Sequence, residues 1–158
     1  METFNTDIFD QFNRTWGLLC AGTEEDHNAM TISWGALGTL WGRPAATVYV
    51  RPSRLTYDYM ENNDFFTIGF FDDSYKQVLG EIYGTLSGSD ADKDGMGGLT
   101  PVASEYGVYY KEATVTLVCR KMFSQAMDKA EMADFARDFY KDAAPHKMYI
   151  GEVIDIIR

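Results

Sequence analysis

The sequence predicts a mainly β protein, a β-barrel or β-sandwich with peripheral α-helices. Short runs rich in valine, isoleucine, threonine, tyrosine and phenylalanine recur between turn signals. Such side chains favour a pleated, half-buried sheet. The short separations between the runs favour antiparallel pairing, and helical periodicity is confined to three segments. Strands therefore dominate, with helices at the periphery.

Six runs are predicted to be strands or to contain them. In chain order they are "WGLLCAGT", "AMTISW", "AATVYV", "FFTIGFF", "VYYKEATVTLVCRKMF" and "MYIGEVIDII". The fifth run has the clearest alternation, because Val115, Leu117 and Cys119 are each separated by one residue. Side chains two residues apart point to the same side of a strand, so we expect one buried face there.

The three helical segments differ in strength. Residues 129 to 141 have apolar side chains at helical spacing, namely Met132, Phe135, Ala136, Phe139 and Tyr140. This pattern predicts an amphipathic helix that buries its apolar face and exposes a charged one. Weaker patterns run from Tyr75 to Tyr83, after a candidate cap at Ser74, and from Thr56 to Glu61.

Length and composition narrow the classes of protein that fit. The chain has 158 residues, which is the size of one ordinary domain, so we predict that residues 1–158 form a single domain. The formal net charge of −10 argues against a broad surface for nucleic acid or anionic membrane. The N-terminal stretch lacks an uninterrupted apolar run, which predicts neither signal peptide nor membrane anchor and favours a cytoplasmic location. Cys20 and Cys119 are too few for a disulfide framework, and we expect both to be small buried apolar side chains.

The stretch "GSDADKDGMGG" resembles the start of a calcium loop. Asp90, Asp92, Asp94 and Gly95 match the first carboxylate and glycine positions of such a loop. The last position, which should be a bidentate glutamate, falls on Pro101, and the segment that follows has a strand pattern. We therefore predict no metal site, and favour a solvated acidic turn in which Asp90 caps a short helical turn.

An acid-free window is more informative. No aspartate or glutamate occurs between His27 and Tyr57, although 24 acids in the chain would place about five there. The window contains Arg43, Arg51 and Arg54, and Thr56 follows at a predicted helix start. Guanidinium groups and a helix N-terminus both favour phosphate oxygens. The alternative is that these arginines balance distant carboxylates or a partner subunit.

The segment "HNAMTISWGALGTLW" combines small polar side chains with large apolar ones. Its possible hydrogen-bonding side chains are Asn28, Thr31 and Ser33, and its large apolar ones include Met30, Trp34 and Trp41. Apolar walls with a few placed polar groups are typical of sites for flat ligands. An ordinary core strand anchored by tryptophans remains the alternative.

Four ordered blocks of the sequence resemble the flavin reductase-like family of FMN-binding proteins, and its flavoredoxin branch most closely. They are "NAMTISWGALGTLWGRPAATVYVRPSRLT", "NNDFFTIGFF", "GTLSGSDADK" and "PHKMYIGEV", and the resemblance spans roughly residues 13 to 156. It implies a Greek-key split β-barrel, a homodimer with FMN near the subunit interface, and flavin redox chemistry.

The resemblance also assigns roles to residues. It implies that the isoalloxazine and ribityl chain lie against Asn28, Met30, Thr31, Ser33 and Trp34. It implies that the phosphate end lies against Arg51, Ser53, Arg54 and Thr56. The third block brings Ser87, Gly88 and Lys93 to the flavin, with the aspartates as an exposed turn that presents Lys93. His146 matches a family histidine near the site.

The resemblance implies an NAD(P)H-dependent flavin reductase that passes hydride to flavin N5 and electrons to a second acceptor. NADH or NADPH is the expected electron donor, and no catalytic side chain is assigned, because motifs for nucleophilic catalysis are lacking. A flavoredoxin-like carrier, reduced by a protein partner, is the alternative. A non-redox calcium-binding or structural domain is the remote one.

Overall fold

The computed structural model describes residues 2–89 and 91–158, and they form a mainly β structure. Nine strands lie in these ranges: β1 Gly17–Gly22, β2 His27–Ile32, β3 Gly35–Leu40, β4 Arg43–Val50, β5 Phe65–Phe70, β6 Pro101–Ser104, β7 Gly107–Tyr110, β8 Val115–Ala126 and β9 Lys147–Ile157. Seven form one sheet in the order β2-β1-β5-β8-β9-β4-β3, and β6 and β7 form a two-stranded ribbon. Every strand pairing is antiparallel, as predicted.

Strand β3 was not predicted as a separate strand. It pairs with β4 through a turn of two residues, Trp41 and Gly42, whose φ angles are 51° and 72°. Positive φ at both turn positions is typical of the tight hairpin turn that matches strand twist. The sequence did not predict this hairpin, because three glycines lie in or next to β3 and a tryptophan is unusual at such a turn.

The buried side chains form two clusters. The larger includes Leu19, Val48, Phe66 and Ile68, and the smaller includes Leu79 and its neighbours on the other side of β1. Cys20 and Cys119 are buried free thiols, which confirms the expectation for both. The single buried face predicted for β8 is wrong, because Thr116 and Val118 are as buried as the residues between them. That part of β8 lies between β5 and β9, with both sheet faces covered.

Five short α-helices lie outside the sheet: α1 Ile8–Asp10, α2 Leu55–Asn62, α3 Lys76–Val78, α4 Lys93–Gly97 and α5 Asp134–Tyr140. Helix α2 confirms the third helical pattern. The segment from Tyr75 is a composite, because 3₁₀ turn Asp73–Tyr75 and π turn Leu79–Tyr83 flank α3. Asp72, not Ser74, provides the cap, since its carboxylate accepts from the Ser74 amide. No helix in the described ranges is long and apolar enough to cross a bilayer.

The predicted burial of the α5 apolar face is only partly correct. The helix begins at Asp134, after a 3₁₀ turn at Lys129–Glu131, and Tyr140 is buried. Phe135, however, is 81% exposed and Phe139 is 51% exposed. The spacing correctly identified side chains that share one side of the helix, but the described residues leave Phe135 and Phe139 on that side largely uncovered.

Candidate functional site

A pocket of about 240 Å³ lies where β2 and β4 end. Its lining residues are Met30, Thr31, Ile32, Ser33, Trp34, Tyr49, Arg51, Arg54, Phe139 and His146. Seven of these belong to the predicted site, and they come from segments far apart in the chain. The structure therefore brings the acid-free window, helix α5 and the start of β9 together at one place.

Strand register explains why these residues meet. Val50 on β4 pairs with Lys147 on β9, so the residues just outside the pair, Arg51 and His146, lie near each other. Gly35 on β3 pairs with Val48 on β4, which in the same way brings Trp34 next to Tyr49. The pocket thus occupies the sheet edge at which β3, β4 and β9 begin or end.

Two of the three window arginines have no carboxylate partner among the described residues. Arg43 forms an ion pair with Glu152 at 2.7 Å. For Arg43, therefore, the alternative hypothesis is correct: this arginine balances a carboxylate that is distant in sequence. Arg51 and Arg54 both line the pocket and form no ion pair in residues 2–89 and 91–158. Their positive charge is therefore available to an anion.

The two pocket arginines are held differently. The Arg51 guanidinium carbon lies 5.4 Å from the ring centre of Phe139 and 5.8 Å from that of Tyr140. Arg54 donates two hydrogen bonds of 3.2 Å, to the carbonyl oxygens of Tyr83 and Gly84. Burial lowers the pKa of Arg54, which nevertheless stays cationic at neutral pH. Both side chains are thus oriented before any ligand arrives.

His146 is a buried, neutral imidazole at the pocket wall. Its Nδ1 lies 2.6 Å from the Tyr140 hydroxyl, and the Trp34 ring centre is 4.9 Å from its own. Burial, assisted by the positive charge of Arg51, lowers the pKa of His146 to about 4. The ring is therefore uncharged at neutral pH.

Four other predicted residues, three of them buried and Gly88 half-buried, form a cluster beside the pocket instead of lining it. The Asn28 amide donates to the Thr56 hydroxyl at 2.7 Å, and the Lys93 ammonium donates to the Ala29 carbonyl at 3.0 Å. A Cβ on Gly88 would lie 2.0 Å from the Asn28 side-chain oxygen, so a larger residue there would displace the Asn28 side chain. Burial, and then the charge of Arg54, lower the pKa of Lys93 to about 8.

The last two predicted residues lie at the surface. Ser53 is exposed in the turn before α2, and Ser87 is exposed and accepts a hydrogen bond from the Ser89 amide. Neither lines the pocket. The sequence reasoning missed Tyr49, which lies two residues before Arg51 on β4, a spacing that could have identified it.

The expected exposed turn of aspartates is wrong for Asp94. Its carboxylate accepts hydrogen bonds from the hydroxyls of Tyr83, at 2.7 Å, and Tyr110, at 2.9 Å, and from His27 Nε2 at 2.8 Å. Asp92 is exposed, and it, rather than Asp90, is the residue seen to cap α4. Asp90 lies outside the described residues.

The pair of His27 and Asp94 is ionic. Both ring nitrogens of His27 face acceptors, because Nδ1 lies 3.0 Å from the Thr23 carbonyl oxygen and Nε2 faces the carboxylate. Only the doubly protonated ring can donate to both. The hydrogen bond that His27 donates to the Asp94 carboxylate accordingly raises the pKa of His27. Burial favours a higher pKa for Asp94, but its three hydrogen-bond donors outweigh burial and lower the pKa.

No group of three or more metal-binding side chains occurs in the part of the chain described.

A second, strongly apolar cavity of about 440 Å³ adjoins the pocket. It is lined by Trp34, Tyr49, Met127, Met132, Phe135, Ala136, Phe139 and Tyr140. Trp34, Tyr49 and Phe139 line both spaces, so a ligand in the pocket would have an aromatic wall beside it. The arrangement can hold an anionic group at the arginines and a flat, mainly apolar group next to them.

Comparison with known proteins gives a consistent result. The family model described as "Flavin reductase like domain" matches residues 9–158. A search of curated proteins found no match.

Three solved structures illustrate the likeness. Flavoredoxin from Methanosarcina acetivorans is 21% identical with a TM-score of 0.72, over 90% of this chain and 67% of that one. An FMN-binding protein from Thermus thermophilus, solved with 1-cyclohex-2-enone, is 16% identical with a TM-score of 0.72, over 100% of this chain and 80% of that one. Nitrilotriacetate monooxygenase component B from Bacillus cereus is 18% identical with a TM-score of 0.69, over 99% and 80% respectively. These likenesses confirm the predicted split-barrel fold.

Proposed function

Because this chain belongs to the flavin reductase-like family, we propose that it binds FMN and acts as an NAD(P)H-dependent flavin reductase. The observation that carries the proposal is the pocket at the end of β2 and β4, where Arg51 and Arg54 have no acidic partner in the described ranges and apolar side chains form the walls. The family match over residues 9–158 also supports a single domain.

The phosphate end of FMN fits the arginine side of the pocket. Arg54 immediately precedes α2, whose first N–H groups receive no side-chain cap. A helix N-terminus and guanidinium groups both stabilise a phosphate dianion. Arg51 adds a second cation within the same pocket. Asn28, Thr56 and Gly88 lie beside this part of the pocket, and their contacts with one another support it.

The flat ring of FMN fits the remaining walls. Met30, Ile32, Trp34 and Tyr49 are apolar or aromatic, and Ser33 adds a small polar group. When bound, FMN supplies the hydride and electron chemistry. The chain's own residues bind and orient it, and the aromatic side chains exclude water from one side. Lys93, held on the Ala29 carbonyl, would place a positive charge near the flavin.

A homodimer is part of the proposal. The surface around the pocket is unusually apolar, with Trp34 44% exposed, Phe139 51% and Phe135 81%. Exposed apolar patches of this kind mark interaction sites. A second copy seated there would cover α5 and place FMN near the interface. Sedimentation velocity should then give a species of twice 17.9 kDa.

An electron carrier reduced by a protein partner is the second candidate. It is favoured by the likeness to flavoredoxin and by the net charge of −10, which suits docking to a basic redox protein. Anaerobic stopped-flow mixing of the FMN-loaded protein with NADH or NADPH separates the two. Rapid bleaching of the flavin supports the reductase, whereas bleaching by dithionite alone supports the carrier.

A further inference from the structure

Tyr140 and His146 form a buried hydrogen-bonded pair between the pocket and the apolar cavity. Tyr140 is 7% exposed and His146 is 9% exposed, and the hydroxyl lies 2.6 Å from Nδ1. His146 lines the pocket with the two arginines, whereas Tyr140 lines the apolar cavity. The pair therefore belongs to both spaces.

The chemistry of the pair selects one tautomer of the histidine. A phenol is a stronger acid than a neutral imidazole N–H, and an imidazole nitrogen is a stronger acceptor than a phenol oxygen. The favoured arrangement has the Tyr140 hydroxyl donating to Nδ1, which leaves the ring proton on Nε2. Nε2 has no hydrogen-bond partner among residues 2–89 and 91–158, and no fully buried side-chain nitrogen there is unsatisfied. Nε2 is therefore at least partly exposed, and the ring that carries it lines the pocket.

The surroundings keep this ring neutral. The charged groups that line the pocket with it are Arg51 and Arg54, both cations, and no carboxylate lines the described pocket. Trp34 covers the ring with its centre 4.9 Å away, and Tyr140 approaches from α5. Two cations and an apolar environment oppose protonation of the imidazole.

We propose that Tyr140 is a positioning residue that fixes His146 as the Nε2–H tautomer, so that the imidazole donates a hydrogen bond to a carbonyl oxygen of the second substrate. The proposal rests on the proposed function for the identity of that substrate. The carbonyl can belong to the carboxamide of a nicotinamide or to a carbonyl-bearing electron acceptor. In both cases a neutral donor recognises an uncharged oxygen next to the flavin site.

The first test needs no flavin. The chain has only two histidines, so ¹⁵N-imidazole NMR resolves both, and His146→Gln assigns them. We expect His146 to be in the Nε2–H form from pH 8 to pH 5. In Tyr140→Phe, loss of the donor to Nδ1 should raise its titration midpoint by about one pH unit and mix the tautomers. Tyr109→Phe, on β7 and away from the pocket, is the matched control. A wild-type Nδ1–H form, or an unchanged midpoint in Tyr140→Phe, would overturn the proposal.

The second test uses the FMN-loaded protein and separates the two sources of the carbonyl. Two concentrations are compared between the wild type and Tyr140→Phe: that of NADH for half-maximal flavin reduction, and that of 1,4-benzoquinone for half-maximal flavin reoxidation. One of them should rise about fivefold in Tyr140→Phe, with FMN affinity unchanged. A change confined to NADH identifies the carboxamide, and one confined to the quinone identifies the acceptor. No change with either contradicts the donor role. A protein with no saturable FMN binding would refute the proposed function, while the NMR experiment would still decide the tautomer.

Discussion

Replacing Asp94 with alanine should strongly destabilise the fold, although the sequence predicted an exposed turn at this position. The carboxylate is the shared acceptor for Tyr83, Tyr110 and His27 at 2.7, 2.9 and 2.8 Å. Tyr83 is 0% exposed and Tyr110 is 3% exposed, so water cannot readily replace the lost acceptor. The substitution leaves two buried hydroxyls unsatisfied and removes an ion pair.

The magnitude follows from those contacts. Each buried polar group left without a partner costs about 1–3 kcal/mol. Two such hydroxyls and a weakened His27 give an expected loss of about 3–5 kcal/mol in the free energy of unfolding, since the costs of neighbours are not additive. Asp92→Ala is the matched control, because that exposed residue only caps α4 and should cost about 1 kcal/mol.

Urea denaturation followed by circular dichroism measures both variants. A loss below about 1 kcal/mol for Asp94→Ala, or one equal to that of Asp92→Ala, would refute the reasoning.

The pH dependence of stability is a second check on the role of Asp94. The raised pKa of His27 contributes stability that is full below its unfolded value near 6.5 and is lost as pH rises through the folded pKa. The lowered pKa of Asp94 contributes stability above about 3.8 that is lost in acid. Asp94→Asn should remove both dependences.

Three further outcomes are expected. Arg54→Ala should weaken FMN binding by about 1.5–3 kcal/mol in a fluorescence titration, and should leave the binding of riboflavin, which lacks the phosphate, nearly unaffected. Arg43→Ala is the control: Arg43 pairs with Glu152, so its removal should change the affinity for neither ligand. Equal losses for FMN and riboflavin would remove Arg54 from the phosphate site. Phe135→Asp should shift sedimentation velocity towards the monomer while melting temperature is retained, because this 81% exposed ring has no role in the chain's own core; an unchanged dimer would place the interface elsewhere. The lowered pKa of His146 should make the protein less stable as pH falls from about 6.5 towards 4, because the unfolded chain binds a proton that the folded one excludes; His146→Gln should flatten this dependence, and an unchanged slope would contradict the buried neutral ring.

Local patterns predicted much of the fold. Alternating and β-branched runs identified most strands, and helix α2 was found at its correct position. The β3–β4 hairpin was missed because Trp41 adopts a positive φ that a tryptophan rarely adopts. For α5, periodicity identified the apolar side of the helix but could not reveal whether anything in the chain covers it.

The candidate site shows the same division between local and distant information. The acid-free window indicated that its arginines lack nearby acids, and Arg51 and Arg54 do share one pocket. Arg43 lies in the same window, but its partner Glu152 is 109 residues away and could not be predicted. The acceptor role of Asp94 was missed for the same reason, because His27 is 67 residues away in sequence.

The most direct test of the account is the visible absorbance spectrum of the purified protein after incubation with FMN and desalting. The pocket with Arg51 and Arg54 predicts a retained oxidised-flavin spectrum, with close to one FMN per chain. A colourless protein whose FMN titration also shows no saturable binding would contradict the account, because the fold would then be present without its flavin site.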